Sequence, residues 1–160
     1  MPIFKCLGCI LLLIASALTA TSLLAFERRR VTQAEGFLAL IRFLRCQIDT
    51  LARPLPQILA ECDASVLHAC GWTAAPRPTS LITLLDGTAL YLSEEICTLL
   101  YDFGRGLGIG YRDEQLRSCD YHLARLTPYC DTLRRDLPKK ERVALFLPIA
   151  AALALILLLL

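Results

Sequence analysis

The sequence has no large excess of charge of either sign. Lysine and arginine number 17 against 15 aspartates and glutamates, for a net charge of +2. A nucleic-acid partner needs a strongly basic surface, so none is expected. Histidine is scarce, with two residues, and neither stands beside a serine or cysteine motif of a hydrolase. Alternation of apolar and polar residues is missing, so no strand is expected. No paired C-x-x-C knuckle occurs outside the apolar N-terminal run, which removes the familiar zinc-finger spacings. Charge is missing altogether from residues 6–26 and 143–160.

Those two runs hold the excess that raises the hydrophobic content to 56%. The first has 21 residues, enough to cross a hydrocarbon core of about 30 Å. The second has 18, and Pro148 near its start is tolerable in a membrane helix. Arg28, Arg29 and Arg30 follow the first run, and Lys139, Lys140 and Arg142 precede the second. The outer flanks carry only Lys5. Positive charge is retained on the cytoplasmic side, so the middle segment is expected there. A cleaved signal peptide is the competing reading, with the cut after Ala25. The run is longer than an ordinary signal core, and three arginines just after the cut oppose export. The expected division is a short end (1–5), a transmembrane helix (6–26), a cytoplasmic helical domain (27–142) and a second transmembrane helix (143–160).

Eight cysteines invite disulfides, but Cys6 and Cys9 lie in the first apolar run. Cys62, Cys97, Cys119 and Cys130 fit apolar helix positions, where a free thiol acts as a small hydrophobe. A cytoplasmic location keeps thiols reduced. A zinc set of Cys62, His68, Cys70, Cys119 and His122 can be drawn, but its spacing matches no known finger. No metal and no cofactor are expected.

The middle segment reads as helix after helix. Val31, Ala34, Leu38, Ile41, Leu44, Ile48 and Leu51 step by three or four, and no breaker separates them from Phe26. Arg53-Pro54 ends that helix, because the residue before proline is pushed out of the helical region. A second helix starts near Pro54–Pro56 and carries Leu55, Ile58, Leu59, Cys62, Val66 and Leu67 on one face. The tight corner between them predicts a hairpin. Residues 71–79 form a loop whose Trp72 is expected to anchor on the core. Ser80 caps a short helix that stops at Asp86-Gly87. Ala89 to Phe103 is the next helix, with Gly104 placed to end it in a left-handed cap. From Asp113 to Leu137 runs a long amphipathic helix, with Leu116, Cys119, Leu123, Leu126, Cys130, Leu133 and Leu137 in one stripe. Pro128 predicts a kink in it. The fold class is all-α, a small antiparallel helical bundle between two transmembrane helices.

Catalytic chemistry is not visible. Gly104, Gly106, Gly108 and Gly110 alternate, but a helix rather than a strand precedes them and no Walker lysine follows. Glu94-Glu95 and Asp113-Glu114 read as first-turn charges favoured by the helix dipole. The protein is not expected to be an enzyme.

The architecture and three motifs together resemble the stage III sporulation protein AB family. The first motif is Pro54-Leu55-Pro56-Gln57-Ile58-Leu59 after an amphipathic helix. The second is Phe103-Gly104, then Leu107-Gly108, then Gln115 in the opening turn of a leucine-striped helix. The third is the leucine-rich run 143–160. Three departures mark a diverged member. Tyr111 stands where the family tends to have aspartate, leaving Asp113 to cap the long helix. Gln47 stands where glutamate is common, and Pro128 is unusual. The resemblance implies a scaffold of the mother-cell-to-forespore channel complex of endospore-forming bacteria. It would sit in the mother-cell membrane facing the forespore. Its cytoplasmic domain would resemble the soluble domains of the type II secretion inner-membrane platform protein. The implied partners are a secretion-type ATPase of sporulation, other membrane proteins of the channel, and the lipid bilayer. The family-motif residues are Pro54, Leu55, Phe103, Gly104, Leu107, Gly108 and Gln115, read either as a structural corner or as partner contacts. The residues alone leave open two other readings. One is an unrelated membrane-anchored adapter or transporter accessory subunit. The other is an exported disulfide-bonded, metal-binding or thiol protein.

Overall fold

The computed structural model describes residues 2–50 and 54–159, and the side chains of all of these but 2–7, 9, 12, 13, 156, 158 and 159. Six helices follow in order: α1 (Pro2–Thr50), α2 (Leu55–Glu61), α3 (Ala64–Cys70), α4 (Leu81–Asp86), α5 (Glu94–Gly106) and α6 (Arg112–Leu159). The described residues contain no strand, and the all-α expectation holds. Two compact units divide the chain. One is Arg30–Leu133; the other joins Met1–Arg29 to Arg134–Leu160.

In the first unit, α1 is enclosed rather than laid on a surface. Val31, Ala34, Leu38, Ile41 and Leu44 of the expected stripe are buried, and so are Phe37 and Leu40 on a second face. Leu51 lies outside the described residues. Gly36 permits the second contact: a Cβ there would stand 2.7 Å from backbone atoms of Ala69 and Cys70 at the end of α3. Partners along α1 and α6 run in opposite order. Arg30 donates to the Tyr129 hydroxyl at 3.2 Å, Arg45 to Asp120 at 2.5 Å, and Arg112 to Asp49 at 2.7 Å. As the number rises on α1 it falls on α6, so these segments are antiparallel.

The helix expected from Pro54 through Leu67 is two helices. Pro54 is the N-cap of α2, and the chain breaks at Cys62-Asp63. The Asp63 carboxylate accepts the Ser65 N–H at 2.8 Å and opens α3, a role aspartate fills well. That bond also holds the Asp63 carboxyl below its ordinary pKa. Gly71, at φ +103°, closes α3 in the left-handed region. Trp72 is half-buried, and its indole lies against Gly87, where a Cβ would come within 2.3 Å of the ring. The loop is thus anchored on the end of α4. Ser80 caps α4 as expected, its hydroxyl accepting the Thr83 N–H at 3.0 Å.

Helix α5 is displaced from the expected Ala89–Phe103. It starts late because other elements hold the backbone before it. Gln33 accepts the Tyr91 N–H at 2.7 Å, and the Tyr129 hydroxyl accepts the Ser93 N–H at 3.2 Å. It ends late because Gly104 is helical and not a cap. Helix α6 also exceeds its expected bounds of Asp113 and Leu137. It runs through Pro128, Pro138 and Pro148 as one element, so Pro128 does not divide it. Asp113 is not its cap. Glu114 reaches back to accept the Tyr111 N–H at 3.2 Å, the carboxylate half of a capping box. Of the predicted stripe, Cys119, Leu126, Cys130 and Leu133 are buried, and His122 joins them.

In the second unit, Arg28 pairs with Glu141 at 2.7 Å and Lys140 with Glu27 at 3.0 Å, joining α1 to α6. Small Ala20 and Ala152 are buried there, while large apolar side chains such as Leu18, Phe146 and Leu157 are exposed. No helix, among the described residues, is long and apolar enough to cross a membrane. The apolar runs 6–26 and 143–160 lie partly outside the described side chains.

Candidate functional site

The corner between α5 and α6 gathers five of the seven motif residues. Helix α5 buries Ile96, Leu100 and Phe103 on one face. The Phe103 ring meets the His122 ring of α6 at 4.7 Å and 44°. His122 is itself held by the Ser118 carbonyl, 2.7 Å from Nδ1. Gly104 lets α4 close in: a Cβ there would stand 2.8 Å from Ile82 Cδ1. The Leu107 N–H donates to the Phe103 carbonyl at 2.9 Å and ends α5, while the Leu107 side chain is buried.

Beyond Leu107 the chain turns on glycines. Gly108 has φ +87° and Gly110 φ +99°, conformations open to glycine at little cost. Gln115 donates from Nε2 to the Gly110 carbonyl at 3.2 Å, which closes the turn onto α6. Arg112 then ties the corner to the end of α1. Its guanidinium donates to the Asp49 carboxylate and to the carbonyls of Ile48 and Asp49.

Phe103 and Leu107 are therefore buried inside the corner, Gly104 and Gln115 are half-buried, and Gly108 is exposed with the residues that follow it. Ile109 is 73% exposed and Tyr111 83%. The sequence places them in the glycine-punctuated turn, Ile109 between Gly108 and Gly110 and Tyr111 after Gly110. Pro54 and Leu55 lie elsewhere, at the start of α2. Gln33 was also missed. It is 2% exposed and bonds the Cys70 carbonyl at 3.0 Å and the Ala89 carbonyl at 2.9 Å, besides the Tyr91 amide.

An open groove of about 570 Å³ lies on the outer side of α5 and α6. Glu95 and Asp102 edge it from α5, and Tyr121, Arg125 and Pro128 from α6. Cys62, Cys70, Cys119 and Cys130 are buried. Burial pushes Cys119 and Cys130 up to about 11, and Cys70 upward as well, so they stay protonated and unreactive at neutral pH. Cys46 is the exposed one among the described free thiols. Among the described residues, no three His, Cys, Asp or Glu side chains are grouped as metal ligands.

Antiparallel helix segments and a glycine turn beside a buried Phe103–His122 ring contact define an all-helical protein. Comparison adds a likeness: residues 83–160 match the family model of stage III sporulation protein AB. The matched stretch begins within α4 and contains the whole α5–α6 corner, with Phe103, Gly104, Leu107, Gly108 and Gln115. Pro54 and Leu55 precede it. No curated protein and no solved structure matches the chain.

Proposed function

We propose that this chain is a stage III sporulation protein, a membrane-anchored scaffold of the channel between mother cell and forespore, without chemistry of its own. The family match over the α5–α6 corner and α6 carries the reading. In it, runs 6–26 and 143–160 cross the mother-cell membrane facing the forespore, and residues 27–142 lie in the cytoplasm. The exposed apolar side chains of Leu18, Phe146 and Leu157 support the membrane part, because water is a poor solvent for such a surface. The flanking arginines and lysines support the orientation.

The partner is a secretion-type ATPase on the cytoplasmic side, with other channel membrane proteins alongside. The corner is the contact we assign to the ATPase: Phe103, Gly104, Leu107, Gly108 and Gln115 set its angle, and Ile109 and Tyr111 make the touch. Deleting the gene in its source organism is expected to arrest sporulating cells after engulfment, with forespores that never mature. Normal heat-resistant spores would overturn the role. Ile109→Ser with Tyr111→Ser is expected to abolish ATPase capture by the purified chain while leaving its helical circular dichroism unchanged. Undiminished capture would move the contact away from the corner.

A further inference from the structure

The second unit holds an apolar cleft that the scaffold role does not use. It measures about 350 Å³ and lies between α1 and α6, walled by Leu23, Phe26, Val143, Ala144 and Leu147. Its lining is almost entirely apolar, except at one end, where Lys139, Lys140 and Glu27 stand. Glu27 and Lys140 neutralise each other at 3.0 Å. Lys139 is exposed and has no acidic partner among the described residues. The cleft thus combines a long greasy wall with one uncompensated positive charge at its mouth.

We infer that this cleft binds one anionic phospholipid, an acyl chain along the apolar wall and the phosphate on Lys139. The inference rests on the membrane reading above. Charge complementarity selects the headgroup: an ammonium at the border of an apolar run attracts an anionic lipid over a zwitterionic one. The register of the two helices places that charge correctly. The pairs Arg28–Glu141 and Glu27–Lys140 put residues 27–28 of α1 level with 140–141 of α6, where both apolar runs meet charged residues. Lysine stems reach along apolar surface while the charge stays at the polar border. Arg29 is also exposed at this level but does not line the cleft, which makes it the control.

The test uses the full chain in vesicles of equal phosphatidylglycerol and phosphatidylethanolamine. Carbonate extraction reads membrane embedding, and native mass spectrometry after detergent transfer reads the lipid retained. The native chain is expected to retain phosphatidylglycerol at least fivefold over phosphatidylethanolamine. Lys139→Glu should bring that ratio close to one, and Lys139→Gln to an intermediate value. Ala144→Phe, which fills the cleft, should lower retention of both lipids severalfold, while Arg29→Glu keeps the native ratio. An embedded native chain without preference overturns the cleft site alone. Equal losses in Arg29→Glu and Lys139→Glu also overturn it, since diffuse attraction would then suffice. A chain stripped off by carbonate overturns the membrane reading, and the lipid site with it.

Discussion

Gln33 does on α1 what a capping residue does at a helix end, but from the middle of a helix and inside the core. Its amide satisfies the carbonyls that end α3 and follow α4, and the amide of Tyr91, across 37 to 58 residues of chain. Replacing it by leucine keeps the bulk and strands three backbone groups. Gln33→Leu is expected to cost on the order of 3 kcal/mol in thermal or denaturant unfolding. Gly36 and Gly106 give a paired test of where glycine matters. Alanine in a helix is ordinarily the better residue by about 1 kcal/mol. Nothing stands within 4 Å of a Cβ on Gly106, so Gly106→Ala should stabilise by roughly 0.5–1 kcal/mol. At Gly36 the obstacle is backbone of α3, which cannot rotate aside, so Gly36→Ala should destabilise. Opposite signs in one unfolding series are the expected result.

At the scale of elements, boundaries are set by whoever holds the backbone. The stretch before α5 could extend the helix by composition, yet Gln33 and Tyr129 take its amides and it stays non-helical. Helix α6 shows the converse. Pro128 removes one amide and crowds the preceding turn, but the flanking turns carry Leu126, Cys130 and Leu133 into the core and the helix continues. Since Pro128 itself is exposed, Pro128→Ala should restore the missing bond without disturbing packing. Its expected effect is a gain of roughly 1–3 kcal/mol in unfolding free energy. Unchanged stability would mean that the turn has already adapted at no cost.

For the molecule as a whole, the buried thiols predict how stability depends on pH. In the folded chain Cys119 and Cys130 titrate at about 11, against an ordinary value of 9.0 once exposed by unfolding. Between those values the unfolded chain has released thiol protons that the folded chain still binds, so rising pH favours unfolding. The thiol contribution is complete below pH 9 and is lost as pH climbs towards 11. Thermal unfolding at pH 8, 9.5 and 11 should show a falling midpoint, and Cys119→Ala with Cys130→Ala should flatten that fall. The same solvent exclusion explains why Cys46 is expected to react with maleimide before unfolding while Cys62, Cys70, Cys119 and Cys130 are not.

Local pattern determined what it can encode: an all-helical chain, the buried stripe of α1 and that of α6, the serine cap of α4 and a glycine-punctuated turn before α6. Each is a local pattern whose geometry follows from 3.6 residues per turn or from one residue's hydrogen-bonding reach. Tertiary structure decided the rest. Gln33 reads as an ordinary polar residue until three distant backbone groups converge on it. Gly104 reads as a stop until α4 requires the space of its missing Cβ. The passage through Pro128 turns on competition between a local signal and distant packing. That competition can be resolved only when the partners that supply the buried area and the hydrogen bonds are in place.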